Sequence, residues 1–106
     1  MLVIRQVTTI AMSVRAYLVK ESKIQHVNNE LIITKRLKDT PTFNVTRHPE
    51  IFWLFCKYGQ DNTNDDLIGE ISIAKDDWDS LNFSSSIFDK ITKDFGDNDI
   101  VVYECI

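Results

Sequence analysis

The last eight residues, DIVVYECI (99–106), constrain the fold more than any other stretch of this chain. Ile100 and Val102 alternate with Val101 and Tyr103, so a strand here is apolar on both sides. Such a strand belongs in the middle of its sheet, where both faces are covered. The preceding residues must supply its neighbours and the covering layer.

Two strands are readable near the start. VRAYLVKE (14–21) alternates in part with period two, and its Val, Tyr and Leu suit a strand. Residues 2–10 either extend it or form a strand of their own. KIQHVNNE then brings Asn28-Asn29, a pair that tolerates left-handed backbone and marks a turn. ELIITKRL (30–37) is the return strand of a hairpin. KDTPTFNVT (38–46) reads as a loop, because Pro41 lacks an N–H and restricts the residue before it.

The segment RHPEIFWLFCKYG (47–59) concentrates aromatic residues. Pro49 and Glu50 suit the first turn of a helix, and Gly59 suits its end. A buried strand over Ile51–Tyr58 is the rival reading. On a helix, Leu54, Tyr58, Ile51, Phe55, Phe52 and Cys56 fall on one arc of about 200°, leaving Glu50, Lys57 and Trp53 outside. That arrangement predicts a core face, a buried and inert Cys56, and an exposed Trp53.

The remaining elements follow in order. GQDNTNDD (59–66) reads as a polar surface loop. LIGEISIA (67–74) is a third strand, with Leu67, Ile71 and Ile73 on one side and Ile68 on the other. KDDWDSL (75–81) is a short helix in which Trp78 and Leu81 share a face. Ser84–Ser86 offer helix caps, Ile87, Phe88, Ile91 and Phe95 recur at helical spacing, and Gly96 ends that helix. The order is β-β-α-β-α-α-β. It predicts a single α+β domain over 1–106, with a mostly antiparallel sheet of four or five strands and two or three helices on one face. Residues 1–11, ahead of a second Met at position 12, are either an N-terminal extension or part of the first strand.

No motif identifies a reaction. The sequence has no phosphate-cradling glycine loop, no nucleophile elbow and no H-E-x-x-H. His26, His48, Cys56 and Cys105 are scattered and lack the close spacing of a zinc site. A helix places Cys56 about 12 Å along the axis from His48, so the two do not form a nucleophile pair. Asp61 opens a calcium-like run, but Asp66 and Ser72 stand where that loop requires Gly and Glu. We therefore expect no cofactor, no metal and no catalytic residue. The alternative enzyme reading is a small hydrolase or nuclease whose carboxylates converge only in the folded chain.

Charge is divided unevenly. Residues 1–47 carry eight Lys/Arg and three acids; residues 48–106 carry four Lys and thirteen acids. The cations Arg15, Lys20, Lys23, Lys35, Arg36 and Lys38, with Tyr17, are the basis for a nucleic-acid reading, but the overall charge of −4 argues against it. The acidic half points instead to a protein partner with a basic surface. The residues expected to meet it are Trp53, Glu50 and Lys57, with Asp61, Asp65, Asp66, Asp76, Asp77 and Asp79. The expected function is stoichiometric protein binding, as an inhibitor or regulator. The Asn, Asp, Lys and Ile usage suggests an AT-rich source such as a phage or other mobile element. A structural subunit that assembles through an edge strand is a further alternative. No apolar run reaches the roughly 18 residues of a membrane span, so a cytoplasmic protein is expected.

Overall fold

The computed structural model describes residues 13–106. The further strand considered for residues 2–10 lies outside the described residues. The elements are β1 (Arg15–Val27), β2 (Glu30–Leu37), β3 (Phe43–Asn44), α1 (Pro49–Tyr58), β4 (Gln60–Thr63), β5 (Gly69–Ala74), α2 (Lys75–Asp79), α3 (Ser86–Phe95) and β6 (Ile100–Cys105). They form an α+β fold around one antiparallel sheet in the order β2-β1-β6-β5-β4, with β3 also pairing β1.

The C-terminal strand is central, as expected, although the described helices cover only one of its faces and Ile100 on the other is exposed. β6 pairs β1 through Ala16↔Cys105 and Leu18↔Tyr103, and β5 through Ile71↔Tyr103 and Ile73↔Val101. Opposite residues share a face, so Ala16, Ile71, Ile73, Val101, Tyr103 and Cys105 line one side, all of them buried. The three helices cover that side. Phe55 of α1 is the centre of the core, 5.9 Å from the Trp78 ring and 5.8 Å from the Tyr103 ring. Trp78 stacks on Phe88 at 4.1 Å, and its indole N–H donates to Thr92 Oγ1. A buried indole with its N–H satisfied keeps its apolar area without a polar penalty.

One polar node ties the helix layer to the sheet. The Asp94 carboxylate on α3 accepts from Tyr103 Oη at 2.7 Å and from Thr42 Oγ1 at 2.5 Å. Burial, and then the bond to Asp94, push the Tyr103 phenol far above its ordinary pKa, so it stays a neutral donor. Both Thr42 and Tyr103 are buried, and the node leaves neither hydroxyl without a partner.

Local signals hold at several ends. α1 starts at Pro49, and α3 is capped by Ser85, whose Oγ accepts from the Phe88 N–H. Gly96 ends α3 at φ 55, and Asn28 and Asn29 turn the hairpin at φ 51 and 65. Gly59 ends α1 for a different reason from the one expected. Its φ of −122 is ordinary, but a Cβ there would collide with the Ser72 carbonyl oxygen.

Other expectations need correction. The loop expected at 38–46 contains β3, because Phe43 enters the core and its backbone pairs Ala16. The polar loop expected at 59–66 contains β4, an edge strand whose polar side chains are compatible with its exposed position. Leu67 and Ile68 belong to the turn before β5: Leu67 has φ 66, and the Asn64 side chain accepts from the Asp66 and Ile68 amides. Tyr58 is exposed rather than core, since the buried stripe of α1 narrows to Ile51, Leu54 and Phe55.

Candidate interaction surface

β1 is thirteen residues long, while β5 and β6 have six each. A strand cannot pair beyond its neighbours, so the excess of β1 leaves the sheet. Its pairing with β6 ends at Leu18, and a bulge follows between Val19 and Glu21. Bulges bend a strand and increase its twist. Beyond that point, residues 20–36 of β1 and β2 are exposed throughout and form a two-stranded arm. The radius of gyration is 15.9 Å, against about 13 Å for a compact domain of 100 residues.

The arm is apolar without a core of its own. Ile24 opposes Ile33 and His26 opposes Leu31 on one face, with Ser22 opposing Lys35 nearer the body. Ile24, Leu31 and Ile33 are 64%, 58% and 54% exposed. Val27 and Ile32 are exposed on the opposite face. A hairpin of two strands in water is marginal by itself, and contiguous exposed aliphatics of this kind mark contact surfaces.

Lys35 anchors the arm to the body. Its Nζ donates to Glu70 Oε2 at 2.8 Å and to Glu104 Oε1 at 2.6 Å. Those carboxylates oppose each other in the β5–β6 ladder, on the sheet face away from the helices. The bond to Glu104, followed by that to Glu70, raises the Lys35 pKa above its ordinary value. Lys35 therefore cancels the repulsion of two adjacent acids and fixes the direction in which the arm leaves.

The sequence-predicted surface residues are spread over α1, the β4–β5 hairpin and α2. Trp53 is 52% exposed, and Lys57 Nζ lies 4.7 Å from its ring and 5.3 Å from the Tyr58 ring. Trp53 and Tyr58 meet edge to face at 6.4 Å, so α1 carries a small aromatic patch beneath one cation. Glu50 faces His48 at 3.5 Å, and Asp79 pairs with Lys75 at 2.7 Å. Asp65, Asp66, Asp76 and Asp77 are exposed, and each lacks an ion-pair partner among the described residues.

Asp61 is exposed on β4, and its Oδ1 accepts from the Thr63 amide and hydroxyl. Burial works against its charge, but the Thr63 bonds and the Cys56 thiol outweigh that and hold its pKa down. Cys56, expected to be buried, is exposed on the flank of α1 with Sγ 3.5 Å from Asp61 Oδ2. Partial burial, then the neighbouring carboxylate, pushes its pKa up to about 11. Cys105 is buried and pushed up to about 12. Neither thiol has the electropositive surroundings that make a cysteine nucleophilic.

No group of three or more His, Cys, Asp or Glu converges among the described residues. Where Glu70 and Glu104 come together, an ammonium already occupies the place between them. No described helix is long and apolar enough to cross a membrane. The chain matches no family model, no curated protein and no solved structure.

The arm was missed in the sequence because the end of β1 was not visible there. KIQHV looks like the approach to a turn, yet it continues the strand as far as Val27. The useful signal was the apolar content on both sides of Asn28-Asn29, which exceeds what a short solvated hairpin tip needs.

Proposed function

We propose that this protein is a non-catalytic protein-binding module whose contact surface is the β1–β2 arm. The observation that carries this reading is the arm itself, with five large aliphatic residues exposed on a hairpin of two strands. Ordering such a hairpin costs backbone entropy, and burial of Ile24, Leu31 and Ile33 in a complex is the natural compensation. The chemistry of the thiols and of the Glu70–Lys35–Glu104 group supports binding over catalysis. The aromatic patch at Trp53 and the acids of α2 are a second, separate surface of the same module, suited to a basic partner. A role as inhibitor or regulator carried by a mobile element fits a small module of this kind.

The test is a bait comparison. The tagged chain and its Ile24→Lys, Ile33→Lys counterpart are used side by side, with Trp53→Ala as a third bait. The arm reading expects a stoichiometric species, either a second copy or another protein, that is retained by the unaltered chain and by Trp53→Ala and lost by the arm variant. Equal retention by all three baits would overturn it.

A further inference from the structure

Resting on the reading of the arm as a contact surface, we infer that its occupant is a second copy of this chain, each copy laying its arm across the acidic body of the other. The charges of one chain are complementary between these two parts. Residues 20–36 of the arm carry four Lys/Arg and two acids, whereas residues 13–19 and 37–106 carry seven Lys/Arg and fourteen acids. An arm of net +2 and a body of net −7 attract in trans, and a two-fold axis satisfies both contacts at once.

The geometry agrees. Lys35 shares its arm face with Ile24, Leu31 and Ile33, and it reaches down to Glu70 and Glu104 on the open face of the sheet. The apolar face of the arm is therefore continuous with the open face of the sheet. Where β1 leaves β6, at the margin of the sheet, lies a cleft of about 520 Å³. Leu18, Ile100 and Val102 give it an apolar lining, and Asp99 brings an acid to it, while Asp94 at its wall is held by Thr42 and Tyr103. An aliphatic side chain suits that lining, and the arm presents Ile24; Lys23 projects from the opposite face of the arm, beside Thr34. The Lys23 and Glu21 side chains meet only at 3.5 Å and are largely exposed, so Lys23 is available to a stronger acidic partner.

Sedimentation equilibrium of the unaltered chain, the Ile24→Lys, Ile33→Lys variant and a Lys20→Glu, Lys23→Glu variant tests this. The second variant changes only solvated side chains, so its folding is not at issue. The unaltered chain is expected at twice 12.3 kDa, and both variants at the single mass. Raising salt from about 50 to about 500 mM is expected to weaken the dimer about tenfold or more. Zero-length carbodiimide cross-linking of mixed light and heavy copies is expected to join Lys20 or Lys23 of one to body acids of the other.

A dimer that persists in both variants, or that is indifferent to salt, would overturn the arrangement. So would intermolecular links confined to arm–arm or body–body pairs. A single mass for the unaltered chain at high concentration would overturn the second copy as occupant. The arm reading would then stand or fall separately, on whether the bait comparison recovers another protein through the arm.

Discussion

Lys35 Nζ lies 2.6 Å from Glu104 Oε1, joining an exposed arm to the central strand across 69 residues of sequence. The ammonium also holds Glu70, so one side chain offsets two opposed carboxylates. Lys35→Met is expected to leave the core folded and to lower stability by about 1 kcal/mol in urea denaturation, a modest figure for a partly solvated group. Amides of residues 20–24 should exchange faster in that variant, because the arm is released from the sheet.

The pH dependence follows from the same contact. The folded pKa of Lys35 is raised above 10.5, so its contribution is fully present below that value. It is lost as pH rises through the folded pKa. The difference in stability between the unaltered chain and Lys35→Met should thus be constant from neutral pH to about 10 and shrink above it. Parallel urea curves across that range measure it.

Cys56 is expected to be exposed yet slow. With its pKa pushed up to about 11 from 9.0, the thiolate fraction at pH 8 falls by about 100-fold relative to an unshifted thiol. A chromogenic disulfide reagent should therefore modify Cys56 slowly at pH 8 and faster as pH approaches 11. Cys105 should react only on unfolding.

The two tryptophans should separate cleanly. Trp53 is half exposed and Trp78 is 1% exposed. Acrylamide quenching of the Trp53→Phe variant should fall close to the level of a buried indole. Trp78→Ala is expected to cost about 3–5 kcal/mol, as large truncations in a packed core do, whereas Trp53→Ala should cost less than about 1 kcal/mol. Urea denaturation compares the two.

Gly59 and Gly96 should respond to alanine through different physics. At Gly59 the Cβ meets the Ser72 carbonyl, so Gly59→Ala shifts β5 against α1 and is the more damaging change. At Gly96 nothing lies near, and the cost is the backbone: φ 55 with ψ −123 falls outside the left-handed helical basin, so Gly96→Ala costs about 1–3 kcal/mol and Gly96→Asn should not recover it. Thermal unfolding of the three variants would order them.

Much of the fold was readable because its signals are local. Pro49 and Glu50 marked the start of α1, Ser85 and Gly96 bracketed α3, Asn28-Asn29 marked the turn, and the two-sided apolar pattern of 99–106 placed the last strand in the middle. What escaped depends on partners distant in sequence. Phe43 and Asn44 become a strand only because β1 passes beside them, and Gln60–Thr63 only because β5 offers an edge. Cys56 looked buried on a helical arc, but the sheet beneath α1 covers a narrower stripe. The exposure of Trp53 was visible in that same arc. The arm was not, since the length of β1 relative to β6 is a property of the assembled sheet.

The central claim is that the arm is buried against a second copy, and amide hydrogen exchange as a function of concentration tests it most directly. The account predicts that amides from Lys23 to Ile33 exchange fast in dilute protein and become protected as concentration rises, while those of β5 and β6 stay protected throughout. Arm amides that exchange at one rate at every concentration would contradict it.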